Sequence, residues 1–351
     1  MPGLPIYLHH KKAMDNITRV RHDVMRQKFD KILVQCGFSV SRAAEIAETF
    51  AENSLEGVPS HGLNRFPDFI KLCLEEIIDK EASPSAVNKM GALEVWDGNS
   101  GPGISNAHFS MGRAMELANE FGIGCVALKN TNHWMRGGTY GWQAANAGYI
   151  SISFTNTMPL VVPWGGLESR LGNNPLVIAV PSPDGHVVLD MAISQFAMGR
   201  VKNYKNDKKD LPMDGGYDIA GNATRNPEQI VESGRLMPIG FWKGSALALM
   251  LDLLSTTLSG GNSTVNISKL KKESAVSQTY ICFKPDALNP AYAESIREIL
   301  AYTKTSSNNG QVRYPGEHTK QIRAHNLKEG IEVDKAIWEG LDNLLNAHSG
   351  F

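Results

Sequence analysis

Little in this chain is extreme, and each shortage removes a class of function. Only four cysteines occur in 351 residues: Cys36, Cys73, Cys125 and Cys282. They lie far apart without metal-ligand spacing. Cys125 and Cys282 sit in apolar runs and read as buried small hydrophobes, and the usage fits a reducing cytoplasm. No apolar run approaches the ~20 residues that a membrane helix needs; residues 245–254 are too few and include Asp252. The leader, residues 1–16, lacks an apolar core long enough for a signal peptide, because Lys11 and Lys12 follow the brief Ile6-Tyr7-Leu8 run. An excess of one charge sign is also missing. The formal net charge is −1, so there is no global pull toward nucleic acid. The local basic stretch of Lys202, Lys205, Lys208 and Lys209 is interrupted by Asp207 and Asp210 and reads as a solvated loop. No metal site is expected. His9-His10 cannot form a rigid site alone, and the other histidines show no H-x-x-x-H or acidic-triad spacing. No G-x-S-x-G elbow marks a serine hydrolase.

What is present is a chain long enough for two or three domains, 42% hydrophobic and 20% charged. Three zones stand out. To about residue 120 the pattern is helical. Val20, Val24, Ile32 and Leu33 predict a helix ending before Gly37. Ser41 is placed to cap the next, through Ala44, Ile46, Ala47 and Phe50. Phe66, Phe69, Ile70 and Leu72 stripe a third, and residues 107–121 form a fourth, stopped by Gly122. Residues 122–283 alternate strands and turns, with strands at 124–128, 150–155, 176–180, 187–191 and 280–283. A buried helix spans 245–258 and closes at Gly260-Gly261. The third zone returns to helices, at 291–302 and 334–345, separated by a glycine- and asparagine-rich loop at 305–316.

The segment Ser60-His61-Gly62-Leu63-Asn64-Arg65 carries the most chemistry. If the run is helical, His61 and Arg65 share a face. An imidazole can protonate a carbonyl oxygen as hydride reaches its carbon. A guanidinium can grip a carboxylate through two parallel hydrogen bonds. The pair describes a site for reducing a 2-oxo acid, although a lone histidine is more often a surface or satisfied core residue.

A hydride reaction calls for a nicotinamide nucleotide. Gly122-Ile123-Gly124-Cys125-Val126-Ala127 satisfies G-x-G-x-x-A but is a decoy. Its glycines follow a helix and open a strand, the reverse of the dinucleotide fingerprint. No Rossmann domain is therefore expected. Trp242-Lys243-Gly244-Ser245 is an alternative phosphate seat: Gly244 allows close backbone approach, Ser245 can cap the helix and Lys243 adds charge. It reads equally as a capped core helix with a snorkelling lysine. Asp190 ends the run Val187-Val188-Leu189 and needs a partner. That partner is the His61 imidazole, an arginine or a turn. Within Asn132-His133-Trp134-Met135-Arg136-Gly137-Gly138, which leaves a strand and enters a helix, His133 either binds substrate or a ribose hydroxyl, or is structural. Pro315-Gly316-Glu317-His318 either contacts adenosine or forms a turn.

These motifs, with Gly172-Asn173-Asn174-Pro175 and Asp190-Met191-Ala192, stand in the order of the malate/L-lactate dehydrogenase-like oxidoreductases. Those enzymes differ from the Rossmann-fold lactate and malate dehydrogenases. The resemblance spans residues 17–345 and leaves the leader outside. The runs Asn64-Arg65-Phe66-Pro67, 132–138 and Tyr140-Gly141-Trp142-Gln143-Ala144-Ala145 resemble one reductase branch of that family.

The resemblance implies an α+β fold. A non-Rossmann, mixed-sheet NADH- or NADPH-binding domain at 122–283 would join a mainly helical catalytic domain built from 17–121 and 284–351. It implies a homodimer with active sites near the subunit interface and a small 2-oxo acid as substrate, to which the cysteine usage, charge balance and hydropathy add a cytoplasmic location and neither nucleic acid nor membrane as partner. His61 matches the proton donor, with Asp190 beside it or the nicotinamide. Ser60, Arg65 and His133 are expected at the substrate. His186, Val187, Val188, Leu189, Asp190, Met191 and Ala192, the pair Trp242-Lys243, and Gly316, Glu317 and His318 match nucleotide-contacting segments. In one departure, this chain reads Gly-Glu-His at the last segment where the reductase branch reads Gly-His-Glu. Two rivals from other classes are a metal-dependent hydrolase and a catalytically silent nucleotide-binding protein. Malate, lactate and a cyclic imino acid are the rival substrates within the family.

Overall fold

A computed structural model of the chain describes residues 16–306 and 311–347. Residues 1–15 of the expected leader, with His9 and His10, and 307–310 of the expected loop lie outside the described residues. Strand β1 (Ile17–Val20) is followed by helices α1 (His22–Gln35) and α2 (Val40–Leu55), two 3₁₀ turns (Pro59–His61 and Leu63–Arg65) and α3 (Phe66–Leu74). A hairpin, β2 (Ser85–Met90) and β3 (Leu93–Asp97), leads to α4 (Gly103–Phe121), β4 (Ile123–Thr131), α5 (Gly138–Asn146) and β5 (Ile150–Thr155). Next come β6 (Leu176–Val180), β7 (Val187–Met191), the long helix α6 (Trp242–Ser259) and β8 (Val276–Phe283). The chain continues through α7 (Tyr292–Lys304), α8 (Glu317–Glu329), β9 (Ile331–Asp334) and α9 (Lys335–Ala347); shorter elements lie between these.

The chain divides into two compact units. One holds Glu75–Ala179 and Val188–Lys284. Its seven-stranded sheet runs β2-β3-β4-β8-β5-β6-β7. β3 and β4 are parallel, whereas β4–β8, β8–β5 and β5–β6 are antiparallel. The mixed order agrees with the absence of a Rossmann fingerprint. Side chains of the central strand β8 alternate between two layers, as strand geometry requires. Tyr280 and Cys282 enter a core with Trp134, Tyr140 and apolar residues of α4 and α5, while Ile281 packs on the opposite core with Phe154, Ala248 and Leu251. Gly122, at φ +82°, ends α4 with a left-handed cap, and β4 follows directly. The decoy glycines are thus a helix stop and a strand start.

The other unit comprises the described residues up to Leu74, Val180–Val187 and the described residues from Pro285. Its core is aromatic: Phe29 stacks on Phe66 at 4.2 Å between ring centres, and Phe50 meets Phe66 and Phe69 edge-on at 5.1 and 5.3 Å. Each fully buried phenylalanine contributes roughly 1.5–3 kcal/mol of transfer free energy. β1 and β9 pair antiparallel, Ile17 opposite Asp334.

Several expectations are corrected. The unit boundary falls at residues 74/75 rather than 121/122, because the β2–β3 hairpin extends the sheet and α4 packs against β4 and β8. Val20 lies in β1, before α1. The α2 cap is Ser39, whose hydroxyl accepts the Arg42 amide at 3.4 Å, not Ser41. The basic stretch at 202–209 is helical through Asn206 rather than a loop. Cys125 is only half-buried, whereas Cys282 is buried.

Candidate active site

The segment carrying His61 and Arg65 is not one helix. Gly62, at φ −111° and ψ −126°, separates the two 3₁₀ turns, so the shared helical face expected from their spacing does not form. Instead the segment is pinned to α2. A side chain at Gly62 would place its Cβ 2.1 Å from Ser54 Oγ and 2.9 Å from the Phe50 carbonyl. Ser54 Oγ accepts the Leu63 amide at 2.9 Å, and Asn53 donates to the His61 carbonyl at 3.0 Å. These contacts fix the backbone on both sides of the imidazole. Ser60 Oγ lies 3.3 Å from His61 Nδ1. Arg65 reaches Asp68 at 3.2 Å and stays 38% exposed.

Two further predicted segments meet in this same unit. The turn before His186 packs against the residues around Gly316–His318. A Cβ on Gly185 would lie 2.9 Å from the Tyr314 hydroxyl and 3.2 Å from Lys320 Nζ. His186 Nδ1 accepts the Ser182 amide at 3.0 Å. Burial and nearby Lys320 hold its pKa below the usual histidine value. Gly316, at φ +87°, starts α8. Glu317 pairs with Lys304 and accepts the Tyr314 amide at 3.3 Å. Lys304, Val312, Arg313, Glu317, His318 and Gln321 line a recess of about 250 Å³. Lys304 and Arg313 beside a helix start form a donor set that fits a phosphate-bearing nucleotide.

In the sheet unit, polar residues collect at one end of the strands. Asn132 and His133 follow β4, Asn156 and Thr157 follow β5, Asn173 and Asn174 precede β6, and Glu273 precedes β8. The β4–β8 and β5–β6 registers bring these ends together. Asn174 is fully buried at φ +26°. Its side chain accepts the Thr157 amide at 3.1 Å and donates to the Ala248 carbonyl at 2.8 Å, bonds that offset the backbone strain. His133 Nδ1 accepts the Met135 amide at 2.9 Å, and its Nε2 lies 4.0 Å from Glu273 Oε1. Met135 takes φ +64° to make that bond.

Asp190 has the arginine and the turn that its sequence position left open. Its Oδ2 accepts the Gly138 amide at 2.8 Å. A Cβ on Gly138 would lie 2.9 Å from that oxygen and 3.4 Å from Arg136 Nε. Asp190 retains solvent contact, yet protein packed around its carboxyl pushes the pKa up, against the Arg136 charge and the Gly138 bond.

Trp242 and Lys243 are exposed in the first turn of α6. The cap expected there is replaced by Phe241 at φ +59° with no side-chain cap bond. Ser245 Oγ instead accepts the Trp164 amide at 3.0 Å. The close approach permitted by Gly244 is to the chain's own Ile239 carbonyl, 2.1 Å from where a Cβ would sit.

Thus Ser60, His61, Arg65, His186, Val187 and Gly316–His318 lie in the first unit, whereas His133, Val188–Ala192, Trp242 and Lys243 lie in the sheet unit. Sequence reasoning missed Glu273, whose setting in Lys271-Lys272-Glu273 looks like a solvated charge run. Arg136 lies in the 132–138 run, where its neighbours in sequence give no sign of the carboxylate it meets. Sequence reasoning also missed His22, Glu48 and Glu52, whose ligand-type atoms lie within 4.8 Å of one another. Both carboxylates there already pair with arginines, Glu48 with Arg26 and Glu52 with Arg323.

Known proteins resemble this chain along nearly its whole length. The family described as malate/L-lactate dehydrogenase matches residues 20–342. The chain is 40% identical over 332 residues to 2,3-diketo-L-gulonate reductase of Pasteurella multocida, covering 93% of this chain and all of that one. Malate dehydrogenase of Pyrococcus horikoshii superposes with a TM-score of 0.86 at 27% identity, covering 95% and 97% of the two chains. Delta1-piperideine-2-carboxylate reductase of Pseudomonas syringae does so with a TM-score of 0.85 at 27% identity, covering 93% and 99%.

Proposed function

This chain belongs to the malate/L-lactate dehydrogenase family and is an oxidoreductase, and from that premise we propose that it reduces 2,3-diketo-L-gulonate to 3-keto-L-gulonate with NADH or NADPH. The observation that carries this reading is the 40% identity to a reductase of that substrate along its whole length. The nicotinamide, when bound, supplies the hydride. His186–Ala192, Trp242, Lys243 and Gly316–His318 are the residues proposed to hold the nucleotide, and the basic recess beside Glu317 supports the last of these. His61 delivers the proton to the substrate oxygen, with Ser60 at its ring nitrogen. Arg65 grips the carboxylate, for which its exposed guanidinium is available in exchange for Asp68. His133 binds a further substrate oxygen. Asp190 is a positioning residue: through Gly138 and Arg136 it holds the loop on which His133 sits.

We further propose a homodimer. Helix α6 is apolar nearly all round, yet Trp242, Leu249, Met250 and Leu253 are 47–61% exposed. An all-apolar helix is stable when covered on every side. We also propose a cytoplasmic location, a reading that the four free thiols support; among the described residues no helix is long and apolar enough to cross a membrane.

Loss of NADH or NADPH absorbance on a panel of 2-oxo acids tests the activity. Fastest turnover of 2,3-diketo-L-gulonate is the expected result. Higher kcat/KM for oxaloacetate, pyruvate or delta1-piperideine-2-carboxylate would replace the substrate, and no turnover with any of them would overturn the reading. Sedimentation velocity tests the dimer.

A further inference from the structure

The turn that presents Trp242 and Lys243 carries a residue that its geometry disfavours. The Lys243 amide donates to the Gly240 carbonyl at 3.3 Å, closing a four-residue turn. Phe241, the first central residue of that turn, sits at φ +59° and ψ −120°. Those are the angles of a type II′ turn, where glycine is the usual occupant. A bulky side chain held there is strained.

Glycine at 241 would take the same backbone without strain, so the side chain itself offsets the cost. Folding explains little of this, since Phe241 is 56% exposed. Its ring lies against Trp164, itself 51% exposed, with centres 5.1 Å apart and planes at 60°. Trp164 is anchored in turn to α6, because its amide donates to Ser245 Oγ at 3.0 Å. The backbone under the turn is equally close, since a Cβ on Gly244 would lie 2.1 Å from the Ile239 carbonyl. Phe241 is thus a brace between an anchored tryptophan and the two residues that follow it. A local rule broken at an exposed position is the mark of a functional demand.

We infer that Phe241 is a positioning residue for the nucleotide: its ring, braced on Trp164, holds the turn in one conformation and so presets Trp242 and Lys243 for binding. The inference rests on the reading that Trp242 and Lys243 meet the nucleotide. Phe241→Gly tests it, with Phe241→Tyr as the conservative control. The Gly variant loses the ring and the strain together, so its urea midpoint stays close to that of wild type. Its Kd for the reduced nucleotide, read from the nucleotide's own fluorescence, rises roughly fivefold or more, because two side chains are then ordered only on binding. The KM for the nucleotide rises with it, while kcat and the KM for the 2-oxo acid change little. The Tyr variant, which keeps the ring, keeps the affinity. Unchanged nucleotide affinity in the Gly variant overturns the inference alone, provided Trp242→Ala or Lys243→Ala weakens binding. If neither of those weakens it, the reading beneath the inference falls as well. A clear fall in the urea midpoint of the Gly variant would assign the ring to folding, and dissociation in sedimentation velocity would assign it to subunit contact; either result overturns the proposal.

Discussion

The Gly138 amide donates to Asp190 Oδ2 at 2.8 Å, tying the strand that carries Asp190 to the first turn of α5. Removing the acceptor strands a buried amide. Asp190→Ala therefore costs about 1–3 kcal/mol of stability. Asp190→Asn keeps an acceptor and loses less. Because burial raises the Asp190 pKa above the ordinary 3.8, its contribution to stability is complete below that value and declines as pH rises through the raised one. The neutral Asn variant consequently has a flatter stability profile across weakly acidic pH. Urea denaturation at several pH values measures both effects; equal losses for Ala and Asn would assign the contribution to charge rather than to the bond.

Glu52 has the opposite sign. Burial works against its ionisation, but His22 at 3.2 Å and Arg323 outweigh it and draw the pKa from 4.5 to about 2. The stabilisation is present above the unfolded value of 4.5 and is lost as pH falls toward 2. After allowance for solvent screening it amounts to ~1–2 kcal/mol. Glu52→Gln is thus less stable than wild type at pH 7, and thermal melts should show the gap closing through the acid range. A gap independent of pH would mean that the carboxylate charge does not tie α1, α2 and α8 together.

His61→Asn should lower turnover by about 10²–10⁴-fold, the usual contribution of general acid catalysis. Cofactor affinity, read from quenching of NADH or NADPH fluorescence, should remain. Near wild-type turnover would remove His61 from the chemistry.

Arg65→Lys should act mainly on substrate binding. An ammonium cannot reproduce the bidentate fork of a guanidinium, so KM for a 2-oxo acid rises about tenfold while kcat changes less. An unchanged KM takes Arg65 out of the site.

Gly62→Ala probes placement without touching a functional group. The added methyl meets Ser54 Oγ at 2.1 Å and backbone atoms at 2.8 and 2.9 Å, and backbone cannot yield as a flexible side chain does. The variant should lose about 1–3 kcal/mol of stability and more activity than that loss explains, because His61 adjoins the displaced residue. Calorimetry with kinetics on the folded fraction separates the two effects, and full activity of that fraction would contradict the tight seating of the turn.

Local chemistry by itself determined much of this protein. Period and punctuation located 150–155, 176–180 and 187–191 as strands, Gly122 as a helix stop, and the long helix ending at Gly260, because alternation, left-handed glycines and helix caps act over a few residues. Motif order was enough to assign the family, and the inverted glycine fingerprint was enough to exclude a Rossmann domain. Long-range pairing was invisible. β2 is exposed along its whole length, so no buried face marks it as a strand, and only its hydrogen bonds to β3 bring residues 75–121 into the sheet unit. The Gly62 break between His61 and Arg65 arises from Ser54 on another helix. The partner of Asp190 lies 52 positions away in sequence and that of His133 lies 140 away. Such relationships depend on which strand ends the register brings together, and no local pattern encodes that.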